Sequence, residues 1–383
     1  MHVCLVYDCL YPYTVGGAER WLRSLAVELA ARGHEVTYVT RRQWGSGDEP
    51  SIPGVRVVAV APGGPLYTRS GRRRIWPPIR FGLGVFLHMR RHRRRYDTAH
   101  AIAFPYFSLI ALRAAAPRLP LGVDWFEVWS RSYWRTYVGG IAGRIGHAVQ
   151  RLCIRLTPRA FVFSDLHGRR LREEGLRSEV VRLSGLYSGP FEPEDGAVAE
   201  REPLVVFAGR HIPEKRAEAV PAAVAAARRE LPALRALILG DGPERGKVLA
   251  AIEQAGAGDF VEAPGFVAAE RVHASLAAAG CHLLPSEREG YGMVVIEAAA
   301  SGTPTVVVEG EDNAAVELIE EGVNGFVARS LDDLPRAIVA AHERGSALRE
   351  STLDWFRANA PRLSAAESAS RIAAEYSQAP DGR

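Results

Sequence analysis

Two carboxylates, Glu289 and Glu297, lie eight positions apart around a segment that is rich in glycine. Gly290 and Gly292 permit backbone conformations and a close ligand approach that side chains would block. The apolar run from Met293 predicts a short buried helix, with Glu289 just outside its N-terminus and Glu297 about one turn inside. Unpaired N–H groups and the helix dipole make such an end a natural seat for an anion. The segment predicts polar chemistry beside a bound phosphate; a plain strand–loop–helix unit is the alternative.

A second loop carries two cations at short spacing. Arg210 and Lys215 follow a strand-like run and lie five positions apart. Arginine supplies a planar fork of donors and lysine a compact charge, so the two can converge on one diphosphate. Lys215 is one of only two lysines in the chain, the other being Lys247, which favours a site that needs an ammonium group. The alternative is a solvated basic loop.

Two glycine turns also follow strand-like runs. Gly240 begins a Gly-Asp-Gly-Pro turn in the second half, and Gly16 and Gly17 form a turn in the first half. Either turn can face a phosphate or can simply reverse the chain. Neither is a G-x-G-x-x-G motif, and the second strand ends at Thr40 without an acidic residue that could hold a ribose. These features count against a dinucleotide oxidoreductase.

Size and composition indicate a globular protein of two domains. The chain has 383 residues, more than a single core usually holds, and 47% hydrophobic with 24% charged residues is typical of soluble proteins. No apolar run reaches the roughly 18 residues of a membrane span. The first apolar run contains Asp8 and predicts a strand rather than a signal peptide. Four scattered cysteines predict buried thiols in a reducing, cytoplasmic compartment, with no metal site and no disulfide.

The order of the predicted elements indicates an α/β fold. A strand at Val3–Tyr7, an amphipathic helix at Ala18–Arg32 and a strand at Val36–Thr40 form one βαβ unit of a doubly wound sheet. In the second half, strands are predicted at 204–208, 236–239, 260–262, 281–284 and 305–308. Two such domains imply an active site in the cleft between their strand ends. The predicted divisions are a first domain at 1–190, a linker at 191–203, a second domain at 204–350, and a helical segment at 351–383, broken at Pro361, that packs back on the first domain.

With these motifs in order, the chain resembles the retaining nucleotide-sugar glycosyltransferases of the GT-B fold, glycosyltransferase family four, also called glycosyl transferases group 1. That family includes bacterial mannosyl- and glucosyltransferases and sucrose-type synthases. The resemblance covers most of the chain and is looser between Val55 and Ser184. It rests on the following motifs: Gly16-Gly17-Ala-Glu19 with Gly33-His-Glu-Val36, Gly209-Arg210 with Glu214-Lys215, Gly240-Asp-Gly-Pro243, the two glutamates around Gly290-Tyr291-Gly292, Asn313-Ala-Ala-Val-Glu-Leu-Ile319 and Gly322-Val-Asn-Gly325.

The resemblance implies a role for each matched residue. Arg210 and Lys215 would neutralise the leaving diphosphate, so that no metal or other cofactor is expected. Glu297 would hold the ribose hydroxyls and Glu289 would lie against the donor sugar, within a donor site that also includes Gly240, Gly290, Tyr291 and Gly292. Gly16 and Gly17 would let the first domain approach donor and acceptor. Lys215, Arg210 and Glu289 are the predicted catalytic residues, because stabilising the departing charge usually dominates such catalysis.

One position departs from the family pattern. Relatives usually carry a histidine facing the donor sugar where this chain has Phe126. Phenylalanine cannot hydrogen-bond a hydroxyl. Either Asp124 or Glu127 supplies the polar contact on the acceptor side, or the sugar specificity or activity is altered. The alternative function is therefore a GT-B relative that binds nucleotide without transfer, as a scaffold or partner subunit.

The region Arg69–Arg95 combines many arginines with aromatic residues and contains no acidic residue. It is compatible with peripheral contact to the inner face of a membrane or with binding of an anionic, lipid-linked acceptor. A solvated helix face in an arginine-rich protein is an equal alternative. No recognition motif supports nucleic-acid binding, so none is expected. The donor base, the donor sugar and the acceptor, whether small molecule, glycan or lipid-linked, are not identified by the sequence.

Overall fold

The computed structural model describes residues 1–66, 74–189 and 202–377. Its strands are β1 (His2–Val6), β2 (Glu35–Arg41), β3 (Val55–Ala61), β4 (Thr98–Ile102), β5 (Leu121–Trp125), β6 (Arg159–Val162), β7 (Val180–Arg182), β8 (Leu204–Ala208), β9 (Arg235–Leu239), β10 (Val261–Gly265), β11 (Cys281–Leu284), β12 (Arg288–Glu289), β13 (Thr305–Val308), β14 (Asp312–Asn313) and β15 (Gly325–Ala328). Its α-helices are α1 (Gly17–Ala31), α2 (Trp76–His92), α3 (Phe107–Ala115), α4 (Arg131–Val138), α5 (Gly140–Leu156), α6 (Asp165–Glu173), α7 (Val220–Ala227), α8 (Arg245–Gln254), α9 (Ala269–Ala278), α10 (Met293–Ala300), α11 (Leu334–Glu343), α12 (Gly345–Leu363) and α13 (Ala365–Ser377).

The chain divides into two compact units. The first comprises Met1–Ser188 with Ser364–Arg383, and the second comprises Gly189–Leu363. The predicted C-terminal segment is thus divided, because α12 belongs to the second unit and α13 to the first. Pro361 lies inside α12, so the break predicted there falls at Ser364 instead. The predicted linker at 191–203 lies outside the described residues except for its last two positions.

The first unit is built on a sheet of seven parallel strands. Their order is β3-β2-β1-β4-β5-β6-β7, so the direction of winding reverses between β1 and β4. The central strands β4 and β5 are buried along their whole length, as expected for a parallel sheet covered by helices on both faces. Helix α13, the last helix of the described chain, packs on α1.

The second unit repeats this architecture with six parallel strands. Their order is β10-β9-β8-β11-β13-β15, with the winding reversed between β8 and β11. The short strands β12 and β14 pair separately, just beyond the main sheet. The predicted α/β class with two doubly wound, Rossmann-like domains is confirmed.

A buried polar network anchors α13 in the first unit. The Tyr376 hydroxyl lies 2.6 Å from Nδ1 of His100, whose Nε2 lies 2.9 Å from Oδ2 of Asp124. The Trp21 indole donates to the same carboxylate oxygen at 2.7 Å. Gly122 makes room for this arrangement, because a Cβ there would lie 2.3 Å from the Tyr376 hydroxyl. Helix α13 is therefore fixed by specific polar contacts as well as by apolar packing.

Removing the Tyr376 hydroxyl should destabilise the first unit. Tyr376→Phe leaves a buried nitrogen of His100 without a partner, which costs roughly 1–3 kcal/mol. Tyr13→Phe is the matched control, since its hydroxyl bond to the Asp48 carbonyl is exposed and should contribute little. Urea unfolding of both variants checks the difference, and equal stability of the two would contradict this account of how α13 is anchored.

Candidate active site

The predicted cationic and acidic loops meet at one edge of the second sheet. Arg210 and Lys215 follow β8, and Glu289 follows β11. These strands are neighbours at the point where the winding reverses. Loops at the carboxyl ends of such a pair diverge and leave a crevice, which is where doubly wound sheets bind ligands. The topology therefore places the candidate residues at the expected binding edge.

Lys215 and Glu289 form a direct ion pair. The Lys215 ammonium donates to Oε1 of Glu289, and the hydroxyl of Ser286 donates to the same oxygen at 2.8 Å. The Glu289 side chain is 8% exposed and that of Lys215 is 21% exposed. Burial of a carboxylate is costly unless such partners surround it. The two predicted catalytic residues are thus one coupled unit rather than two separate charges.

A backbone hydrogen bond and an ion pair hold the loop of Lys215 against that of Glu289. The Glu287 N–H donates to the Glu214 carbonyl at 2.9 Å, and the Arg216 guanidinium lies 2.7 Å from the Glu287 carboxylate. Arg216 has a φ of 48°, the one non-glycine residue with a positive φ in the described chain. That conformation costs a non-glycine residue about 1 kcal/mol or more. It turns the chain immediately after Lys215 and keeps the ammonium beside Glu289.

Asn313 fixes the loop of Glu289 from the other side. Its side-chain amide donates to the carbonyls of Ser286 and Val308 at 3.1 and 2.7 Å, and its oxygen accepts from the Ala315 N–H at 3.0 Å. Glu289 also pairs with Asn313 in the register of β12 and β14. The sequence predicted no role for Ser286, and Asn313 appeared only as the first residue of a motif. Asn313 reaches the Ser286 carbonyl across 27 positions, a contact that the local sequence does not show.

The N-terminus of α10 adjoins this pair in sequence. Gly292 caps that helix with a φ of 100°, and a Cβ there would lie 2.9 Å from the Cβ of Ala315. Both conformation and space therefore require glycine. Tyr291 and Glu297 are buried, the latter in the second turn of α10. Gly290 lies in the loop between β12 and α10.

Gly240 has a packing role next to the cationic loop. Its φ is 126°, and a Cβ there would lie only 1.9 Å from the Gly209 carbonyl oxygen. The Gly209 N–H donates to the Leu239 carbonyl at 3.0 Å, which brings the two backbones together. Gly240 thus lets the loop after β9 support the loop that carries Arg210. Arg210 itself is exposed, two residues beyond the end of β8.

The remaining predicted residues lie in the first unit. Gly16 is the N-cap of α1 and Gly17 is its first residue. A Cβ on Gly16 would meet the carboxylate of Glu19 at 2.4 Å. The predicted turn before the first helix is therefore present. Whether Gly16 and Gly17 approach a donor stays a prediction.

Asp124 lies in the core and not at the predicted acceptor side. It is fully buried, and its Oδ2 is occupied by Trp21 and His100, as described above. A carboxylate in the core contacts no acceptor, so the expectation that Asp124 supplies a polar contact there is wrong. Its position near the end of a strand suggested exposure, but the helix residue Trp21 covers it.

Phe126 and Glu127 are both half-buried. The Phe126 ring stacks on Phe163 with centroids 4.6 Å apart and planes 9° from parallel. Glu127 accepts from the Trp129 indole at 2.8 Å. The phenylalanine therefore has a packing partner of its own, and Glu127 remains the acidic residue near the carboxyl end of β5 for which an acceptor role stays a prediction.

The charge of Lys215 acts on a buried histidine of β11. His282 has no exposed surface, and its Nδ1 lies 3.2 Å from the Thr305 hydroxyl. Burial, and secondarily the positive charge of Lys215, lowers the pKa of His282 from 6.5 to about 3. His282 is therefore neutral at physiological pH, and the ammonium group meets no competing cation from the sheet.

His282 should make the second unit sensitive to acid. Between pH 6.5 and about 3 the unfolded chain binds a proton that the folded chain does not, so stability falls as the pH falls. The free energy of unfolding should fall by about 2 kcal/mol from pH 7 to pH 5, since one proton contributes ~1.4 kcal/mol per pH unit. His282→Asn should reduce the loss in urea unfolding between these pH values. The exposed His273→Asn is the control, and an unchanged loss in His282→Asn would refute the expectation.

Two family patterns match the chain in tandem. The pattern of the family described as "Glycosyl transferases group 1" matches residues 190–346, and that described as "Glycosyl transferase 4-like domain" matches residues 16–185. Glycogen synthase of Mycobacterium tuberculosis is 28% identical over 386 residues, covering 90% of this chain and 89% of its own. The chain therefore belongs to the group 1 glycosyltransferases, with the two Rossmann-like domains of the GT-B fold.

Solved structures show the same fold. Sucrose-phosphate synthase from Thermosynechococcus elongatus superposes with a TM-score of 0.78 at 19% identity, covering 98% of both chains. Anabaena HepE in complex with UDP-glucose gives a TM-score of 0.72 at 18% identity, covering 98% of this chain and 99% of that chain. No helix among the described residues is long and apolar enough to cross a membrane. In the same part of the chain, His, Cys, Asp and Glu side chains form no group of three or more that could hold a metal ion.

Proposed function

We propose that this glycosyltransferase moves a sugar from a nucleoside diphosphate donor to an acceptor hydroxyl, with retention of the anomeric configuration and without a metal ion. The observation that carries the proposal is the Lys215–Glu289 pair at the winding-reversal edge of the second sheet. The pair places a cation that can stabilise a leaving diphosphate beside a carboxylate that can contact a sugar. Anabaena HepE, which shares this fold, has been solved with UDP-glucose, which supports a nucleotide-sugar donor.

The proposed chemistry is stabilisation of a departing charge. As the bond between the anomeric carbon and the diphosphate oxygen breaks, the nucleoside diphosphate gains negative charge. The acceptor oxygen bonds to the anomeric carbon, and its proton passes to the departing diphosphate oxygen. Lys215 and the exposed Arg210 would stabilise that charge, with the N-terminus of α10 nearby in sequence. When the diphosphate binds, the ammonium would be shared between it and Glu289. Glu289 would then keep Lys215 oriented and contact the donor sugar.

We place the reaction in the cytoplasm, in keeping with four buried cysteines that form no disulfide among the described residues. The acceptor is a hydroxyl of a small molecule, a glycan or a lipid-linked sugar. A role in cell-envelope or glycoconjugate synthesis fits such a product. Glu127 is the candidate contact on the acceptor side.

Donor turnover by purified protein tests the assigned roles. Lys215→Ala and Glu289→Ala should each lower kcat by about 10²–10³, the usual effect of removing a group that stabilises transition-state charge. Because the two residues act as one pair, the double variant should lose far less than the product of the single losses. Lys247→Ala is the matched control, since this other lysine is exposed on α8 and pairs with Glu244, the residue before that helix. Near-normal rates in both single variants on a verified donor would refute the roles.

The same assay reports stereochemistry and separates the two candidate functions. Proton NMR of the product should show the anomeric configuration of the donor, and inversion would contradict the proposed retention. Phe126, where relatives usually carry histidine, motivates the alternative of a nucleotide-binding protein without transfer. Tight nucleotide binding with no turnover across a panel of sugars and acceptors would favour that alternative.

Nucleotide binding can be followed by thermal shift with UDP, GDP and ADP. A ligand present at 100 times its Kd stabilises the folded state by about 2.7 kcal/mol. Glu297→Ala should remove most of the shift given by the preferred nucleoside diphosphate, because we assign this residue to the ribose hydroxyls. The exposed Glu253→Ala on α8 should leave the shift unchanged. An equal shift in both variants would show that Glu297 does not hold the nucleotide.

A further inference from the structure

Helix α5 of the first unit exposes apolar side chains in a continuous stripe. Ile141 is 77% exposed, Ile145 61% and Leu152 45%. Their spacing of four and seven residues places them on one face of the helix. The opposite face, with Gly143 and Cys153, is buried against the unit. Single exposed apolar residues are common on proteins, whereas a stripe of large ones indicates an interaction surface.

Arginines flank that stripe on one side. Arg144, Arg151 and Arg155 are exposed. With 3.6 residues per turn, the large apolar residues and these arginines fill neighbouring arcs of the helix surface, each about 60° wide or less. Arg151 lies 3.6 Å from Glu174. Within the described part of the chain, Arg144 and Arg155 form no ion pair, so their charges face outward uncompensated.

Helix α2 presents a similar outer face. Trp76 is 72% exposed, and Leu83 and Leu87 follow it at helical spacing, also exposed. Arg80 and Arg90 are exposed on the same side of the helix. This helix lies within the arginine-rich region that the sequence singled out, of which Arg69–Arg73 lie outside the described residues. The sequence did not single out α5.

Both helices lie on the same side of the first sheet. The connections β3 to β4, β4 to β5 and β5 to β6 all advance in the same direction across the sheet and contain α2, α3 and α5 in turn. Right-handed crossovers place such helices on one face. Helix α3 packs against both α2 and α5. The apolar and basic stripes of α2 and α5 therefore belong to one surface of the first unit, here called the α2/α5 face.

The charge around this face is strongly one-sided. Between Glu49 and Asp165 the chain contains nineteen arginines but only three acidic residues, Asp97, Asp124 and Glu127. Asp124 is buried in the core. The local field is consequently positive, which attracts an anionic surface over about a Debye length. A nucleic acid would satisfy the arginines but would leave the isoleucine and leucine side chains in water.

We propose that the α2/α5 face docks on an anionic phospholipid bilayer. The apolar stripe of α5 enters the boundary between headgroups and acyl chains, while Arg144, Arg155 and the arginines of α2 contact lipid phosphates. Exposed apolar side chains beside basic ones are the composition that interfacial helices require. This inference does not rest on the proposed reaction, since it uses no residue of the candidate active site.

Co-sedimentation of the full chain with phosphatidylcholine vesicles, with and without phosphatidylglycerol, tests the proposal. The wild type should bind the anionic vesicles and not the neutral ones, with weaker binding at high ionic strength. The variant Ile141→Ser/Ile145→Ser/Leu152→Ser should bind at least about tenfold more weakly, because each side chain loses its burial in the lipid. Arg144→Gln/Arg155→Gln should weaken binding and flatten its salt dependence.

The matched control is Leu249→Ser/Phe266→Ser, which removes exposed apolar residues from the second unit and should bind like the wild type. Circular dichroism verifies that the exposed substitutions leave the fold intact. A wild type that does not prefer anionic vesicles would overturn the proposal. So would an apolar variant that binds normally while the arginine variant fails, since the face would then be a general polyanion site.

A probe on α5 measures insertion without removing the stripe. The four native cysteines are buried, so a maleimide dye should label Ile145→Cys selectively. Blue-shifted emission with anionic vesicles, quenched by lipids brominated in the acyl chain, would support insertion. An unshifted dye on a vesicle-bound protein would show that another surface mediates binding and would overturn the assignment to α5.

Discussion

The ion pair between Lys215 and Glu289 is the constraint on which the candidate site depends. A carboxylate buried to this degree is costly, and a buried ion pair is a poor source of stability compared with apolar packing. The surrounding chain nevertheless fixes the pair with several devices: the left-handed Arg216, the Ser286 hydroxyl and the Asn313 amide. Polar contacts that fix an ion pair in this way at a sheet edge are characteristic of a functional site rather than of fold stability.

The two units treat their buried carboxylates differently. In the first, Asp124 is enclosed by Trp21 and His100, and it helps to lock α13 through Tyr376. In the second, Glu289 lies at the edge of the sheet, where its partner Lys215 retains some exposure. An approaching anion could therefore compete for the ammonium of Lys215, whereas nothing outside the core reaches Asp124. The same residue chemistry thus serves structure in one unit and a candidate site in the other.

Much of the second unit could be predicted from the sequence. Apolar runs bounded by glycine and proline gave the exact bounds of β8, β11 and β13, because buried parallel strands leave a continuous hydrophobic signal. The positions of Lys215 after a strand and of Glu289 just outside a helix N-terminus also followed, whereas the adjacency of β8 and β11 did not. Their direct pairing did not, because it joins residues 74 positions apart and depends on the turn at Arg216. The prediction for Asp124 was wrong because the residues near it in sequence do not show that Trp21 covers it.

The first unit was harder to predict, and α5 shows why. Sequence periodicity locates a helix by the contrast between a buried apolar face and a polar outer face. In α5 apolar and polar residues are well separated, but the apolar arc holds the exposed Ile141, Ile145 and Leu152, while the buried face includes Gly143 and Gln150. The sequence pattern therefore indicates a helix but not the face that packs on the sheet. An apolar arc that the fold leaves exposed indicates where selection has acted on something other than folding, as local conflicts with folding rules generally do.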